Sequence, residues 1–90
     1  MNESYIDLFL IEKTKLQTSL HTRLAYEKDL RDFAMHFKDT DLDFKDIDVK
    51  HITQYFEFIQ KEQFKHYKAS TLARKLSSLR SFYRFMMEND

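Results

Sequence analysis

Ninety residues with fifteen cations against fifteen acids make one domain at most, and the zero net charge argues against indiscriminate attachment to polyanions. With no Cys there is no disulfide framework and no thiolate metal site. Gly and Pro are also absent, which removes the turn chemistry that strand-rich folds lean on and every strong helix breaker, so an all-α domain is expected.

The start, Met1-Asn2-Glu3-Ser4, lacks the basic opening and small-residue cleavage site of a secretory signal, and the longest apolar run, Leu8-Phe9-Leu10-Ile11, is too short to span a bilayer. A cytoplasmic chain without a membrane partner is expected. The first helix is predicted over 4–16, capped by Ser4 with Asp7 in an acidic first turn. Its apolar residues cover more than one face, so part of Leu8, Phe9 and Ile11 should stay exposed for a partner. The second helix is predicted over 19–38. Ser19 is its N-cap, and Tyr26, Leu30, Phe33 and Phe37 form an apolar stripe opposite Leu24, Lys28, Arg31 and Met35.

The connection that follows is acidic: Asp39, Asp41, Asp43, Asp46 and Asp48 against Lys45 give a local charge of −4. Asp39, Asp41 and Asp43 are spaced like the start of a calcium loop, but Phe44 stands where that loop requires Gly, so a solvated acidic loop is the expectation. No two His are at i,i+4 either, and no metal or other cofactor is expected. The third helix is predicted over 48–63 with Asp48 as N-cap and Val49, Ile52, Phe56 and Ile59 as its stripe; Phe58 points away and needs another contact. The fourth is predicted over 70–88 with Ser70 as N-cap and Leu72, Leu76, Leu79, Tyr83 and Met86 as the core stripe. Tyr26, Leu30, Phe33, Ile52, Phe56, Ile59, Leu72, Leu76 and Leu79 are expected to be buried together.

The strongest signal lies in this last third. From Gln63 to Met87 there is no acid, while Lys65, Lys68, Arg74, Lys75, Arg80 and Arg84 give a local charge of +6. A merely solvated helix face mixes both signs. The outer face of the fourth helix sets Arg74 among Ser70, Ser77 and Ser81, with Arg84 alongside. Small hydroxyl side chains admit a close partner and donate to phosphate, and Ser70 and Thr71 add the helix start. That composition points to nucleic acid.

The wording of two segments is more specific. Ser70-Thr71-Leu72-Ala73-Arg74-Lys75-Leu76-Ser77-Ser78-Leu79-Arg80-Ser81-Phe82-Tyr83-Arg84-Phe85 resembles the last helix of the core-binding domain of tyrosine recombinases, the phage-integrase and Xer family. Ser19-Leu20-His21-Thr22-Arg23-Leu24-Ala25-Tyr26-Glu27-Lys28-Asp29-Leu30-Arg31-Asp32-Phe33 resembles that family's Ser-x-x-Thr-x-x-Ala-Tyr-x-x-Asp-Leu-x-x-Phe pattern. Read from the residues alone, Thr22 is a helper in capping. The resemblance implies a single compact four-helix SAM-like bundle over 1–90. It would clamp double-stranded DNA while a separate catalytic domain holds the other side. Residues matching Thr22, Ala25 and Lys28 on the second helix, and Ser70, Arg74, Lys75 and Ser78 on the fourth, would approach the duplex. Lys68 and Thr71, at the start of the basic helix, complete the expected contact set. The Gly residues usual before Ser19 and before Ser70 are missing.

The resemblance also implies further recombinase protomers on the DNA, with the isolated domain monomeric. Catalysis is not expected of these residues. The family's chemistry uses a tyrosine nucleophile and a His-x-x-Arg element, yet His21, His36, His51 and His66 lead to Leu24, Asp39, Gln54 and Ala69. The chain stops where the resemblance places a catalytic domain, and so reads as a fragment of a recombinase. The rival from another class is a helical protein-interaction module docking through the apolar first helix.

Overall fold

The computed structural model describes residues 1–61 and 67–89. Among these residues there are four α-helices, α1 (Ser4–Lys15), α2 (Leu20–His36), α3 (Val49–Lys61) and α4 (Ala69–Glu88), and a 3₁₀ turn, Phe44–Asp46, between α2 and α3. There is no strand among the described residues. The expected end of the third helix beyond Lys61, together with Lys65 and His66 of the basic run, lies outside the described residues. No helix among those described is long and apolar enough to cross a membrane.

Side-chain caps set the starts of α2 and α3. Ser19 Oγ accepts from Thr22 N–H at 3.2 Å and starts α2. Asp48 Oδ1 accepts from His51 N–H at 3.2 Å while Asp48 N–H donates to His51 Nδ1 at 3.1 Å, a reciprocal box at the head of α3. Two expected caps are corrected. Ser4 is the first helical residue, its N–H and hydroxyl both on Asn2 Oδ1, and Glu3 holds the cap position. Ser70 lies inside α4, which begins after Lys68 with no side-chain cap.

α1 ends in a Schellman motif: Thr18 N–H donates to Lys13 O and Gln17 N–H to Thr14 O, each at 3.0 Å. That motif needs a left-handed residue, and Gln17 supplies it at φ 58° where Gly has no Cβ penalty. The Gly missing from the sequence before Ser19 is therefore replaced by a strained Gln.

The acidic connection is not a solvated loop throughout. Asp43 and Asp46 form a capping box, with Asp43 N–H donating to Asp46 Oδ2 at 2.8 Å. Asp43 Oδ1 also accepts from the N–H groups of Phe44 and Asn2, each at 2.8 Å, tying the turn to the N-terminus. The box seats Phe44 in the core, where its ring meets Phe82 at 4.8 Å and its carbonyl accepts from Tyr83 Oη at 2.9 Å. Asp39 and Asp41 remain exposed.

The core is aromatic. Phe9 is fully buried and packs edge-on against Tyr26, Phe82 and Phe85, while Phe33 packs edge-on against Phe37 and Tyr55. Leu30, Phe33, Ile59 and Leu79 are buried as expected; Tyr26, Ile52, Phe56 and Leu72 are half-buried against them. Leu76 is also only half-buried, which corrects its place at the core centre. The inward face of α4 is Lys75, Ser78, Leu79 and Phe82, rotated from the leucine stripe. On α3 Tyr55 joins Ile59 in the core, while Val49, expected on the stripe, is 79% exposed. Phe58 finds its contact on the His36 ring at 4.8 Å, and burial there pushes the His36 imidazole below its ordinary pKa.

Candidate nucleic-acid interface

The rotation of α4 has one cause. Asp29, one residue before the buried Leu30, faces α4 with its side chain 1% exposed. An unpaired carboxylate in that position would be costly, and α4 answers it with four donors. Arg74 donates from Nε to Oδ2 at 3.1 Å and from Nη2 to Oδ1 at 2.7 Å, a side-on fork. Ser78 Oγ donates to Oδ2 at 2.8 Å, and Lys75 Nζ to Oδ1 at 3.4 Å. Burial by itself would raise the Asp29 pKa; the hydrogen bonds from Arg74 and Ser78 and the charges of Lys75 and Arg74 outweigh it, and the carboxyl is held below its ordinary value. The same pairing raises the Arg74 guanidinium. No buried side-chain nitrogen or oxygen among the described residues lacks a partner.

The two cations on Asp29 are placed differently. The Lys75 side chain is 4% exposed, with Nζ also 3.6 Å from Asp32 Oδ2 and 5.3 Å from the centre of the Tyr67 ring. The Arg74 side chain is 46% exposed and overlies a groove of about 270 Å³ between α2 and α4, lined also by His21, Thr22, Ala25, Tyr26, Ser77 and Ser78.

Of the residues singled out in the sequence, the fold thus brings Thr22, Ala25, Arg74 and Ser78 to one groove. Thr22 is exposed, and its hydroxyl accepts from Ser19 Oγ at 2.9 Å, the capping role read from the residues alone. Lys75 and Ser78, which the resemblance brings toward the duplex, are buried, and both polar groups are taken up by Asp29. Lys28 is outside the groove, paired with Asp32 at 3.3 Å, with its side chain 71% exposed. Lys68, Ser70 and Thr71 form the exposed to half-buried start of α4. Asp29 itself, the organiser of the site, is the fixed Asp of the Ala-Tyr-x-x-Asp-Leu pattern but was not among the expected contact residues. The signal for it was an acid adjoining a buried stripe, facing a helix with cations and no acid of its own.

Residues 4–90 match the family model described as the phage integrase, N-terminal SAM-like domain. The chain belongs to that family. It is similar to the protein named tyrosine recombinase of Pseudothermotoga lettingae, 36% identical over 66 residues, which cover 73% of this chain and 23% of that one. It is 30% identical over 90 residues to the tyrosine recombinase XerC of Staphylococcus saprophyticus and 32% identical over 90 residues to that of Staphylococcus carnosus, covering 100% of this chain and 28% of each relative. The chain therefore spans about a quarter of the length of these relatives. No solved structure matches it. The four-helix SAM-like architecture expected of the sequence is the one observed. No group of three or more His, Asp or Glu among the described residues is placed to hold a metal ion.

Proposed function

We propose that this domain binds double-stranded DNA through the α2–α4 face and holds it for a separate catalytic domain of a tyrosine recombinase, without catalytic residues of its own. The observation that carries this reading is the exposed Arg74 guanidinium at a groove where the small or hydroxyl-bearing Thr22, Ala25, Ser77 and Ser78 line the walls beside His21 and Tyr26. Small walls let a sugar–phosphate backbone approach, and guanidinium is the side chain best matched to phosphate. Thr22, Ser70, Thr71 and Lys68 supply neighbouring donors at two helix starts, where the helix dipoles favour anions. Lys28 lies on the same side of α2 as Asp32 and adds long-range attraction. Lys75 and Ser78, also in the family pattern, support the face from inside. Further recombinase protomers on the same DNA, and the bacterial cytoplasm as the compartment, belong to this proposal.

The experiment is a titration of the labelled domain with a mixed-sequence duplex at low salt, followed by backbone amide shifts. Shifts should gather at Thr22, Ala25, Ser70, Thr71, Arg74 and Ser77 and fade as salt rises. A specific observation favours a second reading: Leu8 and Ile11, both on α1, are each 53% exposed while Phe9 is buried. That apolar strip suits a protein partner. Duplex-induced shifts confined to α1, or none at all, would turn the assignment toward it.

A further inference from the structure

We propose that Asp29 is a positioning residue for DNA contact: its buried carboxylate fixes Arg74 so that the guanidinium edge turned away from Asp29 is presented to a phosphate. The inference rests on the DNA-binding reading and deepens it. Asp29 is the centre of a cluster in which Lys28, Arg74 and Lys75 face the two acids Asp29 and Asp32. One positive charge is left in excess, and between the two cations on Asp29 burial decides which one can be displayed. Lys75, at 4% exposure, cannot reach a ligand without leaving the interior; Arg74, at 46%, can.

The fork geometry decides which donors are available. Side-on pairing uses Nε–H and one Nη2–H, so of the five guanidinium N–H donors the two on Nη1 and the second on Nη2 are left. Among the described residues Nη1 donates to no protein acceptor. These donors lie on the edge away from Asp29. A free surface arginine would lose side-chain entropy on docking; one already held by a buried carboxylate has less to lose. Lysine in its place would keep the charge but could not fork to Asp29 and present two further donors together.

The test measures fluorescence-anisotropy affinities of the 90-residue chain for a mixed-sequence duplex, comparing wild type with Arg74→Lys, Arg74→Ala, Asp29→Asn and the double variant Asp29→Asn/Arg74→Ala. The free-state Arg74 Nε–H resonance is followed alongside. Arg74→Lys should bind about tenfold more weakly than wild type, close to Arg74→Ala, although its charge is unchanged. Asp29→Asn should broaden or shift the Nε–H resonance and weaken binding to a similar degree, while adding nothing in the Arg74→Ala background. An equal loss from Asp29→Asn in both backgrounds would overturn the positioning role, since Asp29 would then act through the fold alone. Should Asp29→Asn unfold the chain, Arg74→Lys decides by itself, because position 74 is not in the core: wild-type affinity in that variant overturns the proposal. A wild-type chain that binds no duplex at low salt would overturn the DNA reading and the positioning role together, a result distinct from binding that is intact and indifferent to Arg74→Lys.

Discussion

The acidic stretch Asp39–Asp48 and the basic helix α4 are the two charge-biased regions of this chain, and they use their charges in opposite ways. In the acidic stretch the ionised side chains act locally. Asp43, Asp46 and Asp48 each accept from a backbone N–H within three residues and shape the turn that seats Phe44 and the start of α3; among the described residues the one longer reach is Asp43 on the Asn2 N–H. In α4 the cations act at long range. Arg74 and Lys75 converge on one carboxylate, Asp29, 45 and 46 residues away in sequence. Acceptors on short side chains can satisfy the N–H groups beside them, whereas Arg74 and Lys75 reach an acid on another helix. A run of one sign in a sequence therefore says little until its partners are counted.

If that contrast is right, the largest loss should come from removing the shared carboxylate. Asp29→Ala leaves the buried Lys75 with Asp32 alone, at 3.6 Å, and strips Arg74 and Ser78 of their acceptor, and should cost about 3–5 kcal/mol in urea unfolding. A loss below about 1 kcal/mol would mean that the α2–α4 contact does not depend on the cluster. Asp43→Ala removes a local cap and should cost about 1 kcal/mol; a loss as large as that of Asp29→Ala would erase the distinction between the two regions. Both carboxyls are held below their ordinary pKa: Asp29 by Arg74, Ser78 and Lys75 against the burial that opposes them, Asp43 foremost by the Asn2 N–H. The folded state therefore releases these protons more readily than the unfolded chain, so the stability they contribute is present above about pH 4 and is lost as pH falls through their lowered folded values. Asp29→Asn should flatten this acid limb of a stability–pH curve more than Asp43→Asn does. The smallest effect concerns the backbone outside both regions. Gln17→Gly relieves the left-handed Gln and should raise stability by roughly 0.5–1 kcal/mol in thermal unfolding, less than the full strain because glycine also loosens the unfolded chain.

The helices were legible because their apolar spacing and the caps Ser19 and Asp48 act within one turn. The family was legible because the motif residues around Thr22 and Arg74 are specific. What was hidden depended on residues far apart. The orientation of α4 could not be read from Leu72, Leu76 and Leu79, since Asp29 draws Lys75 and Ser78 inward and turns Leu76 toward the margin. Phe44 looked like part of a solvated loop because its capping pair, Asp43 and Asp46, reads as repulsive charge. The exposed strip Leu8 and Ile11 was foreseen, because a helix apolar on more than one face cannot bury every residue in so small a domain.

The central claim is that α4 shows one of its two paired cations to DNA and uses the other inside. Its most direct test is the salt dependence of duplex binding for Arg74→Ala and Lys75→Met, each checked for folding by circular dichroism. The methionine fills the lysine's space and leaves Asp29 its Arg74 and Ser78 partners. The account predicts that Arg74→Ala flattens the slope of log K against log salt by about one ion, while Lys75→Met leaves the slope at its wild-type value. A slope flattened by about one ion in a folded Lys75→Met, with little change in Arg74→Ala, would contradict it.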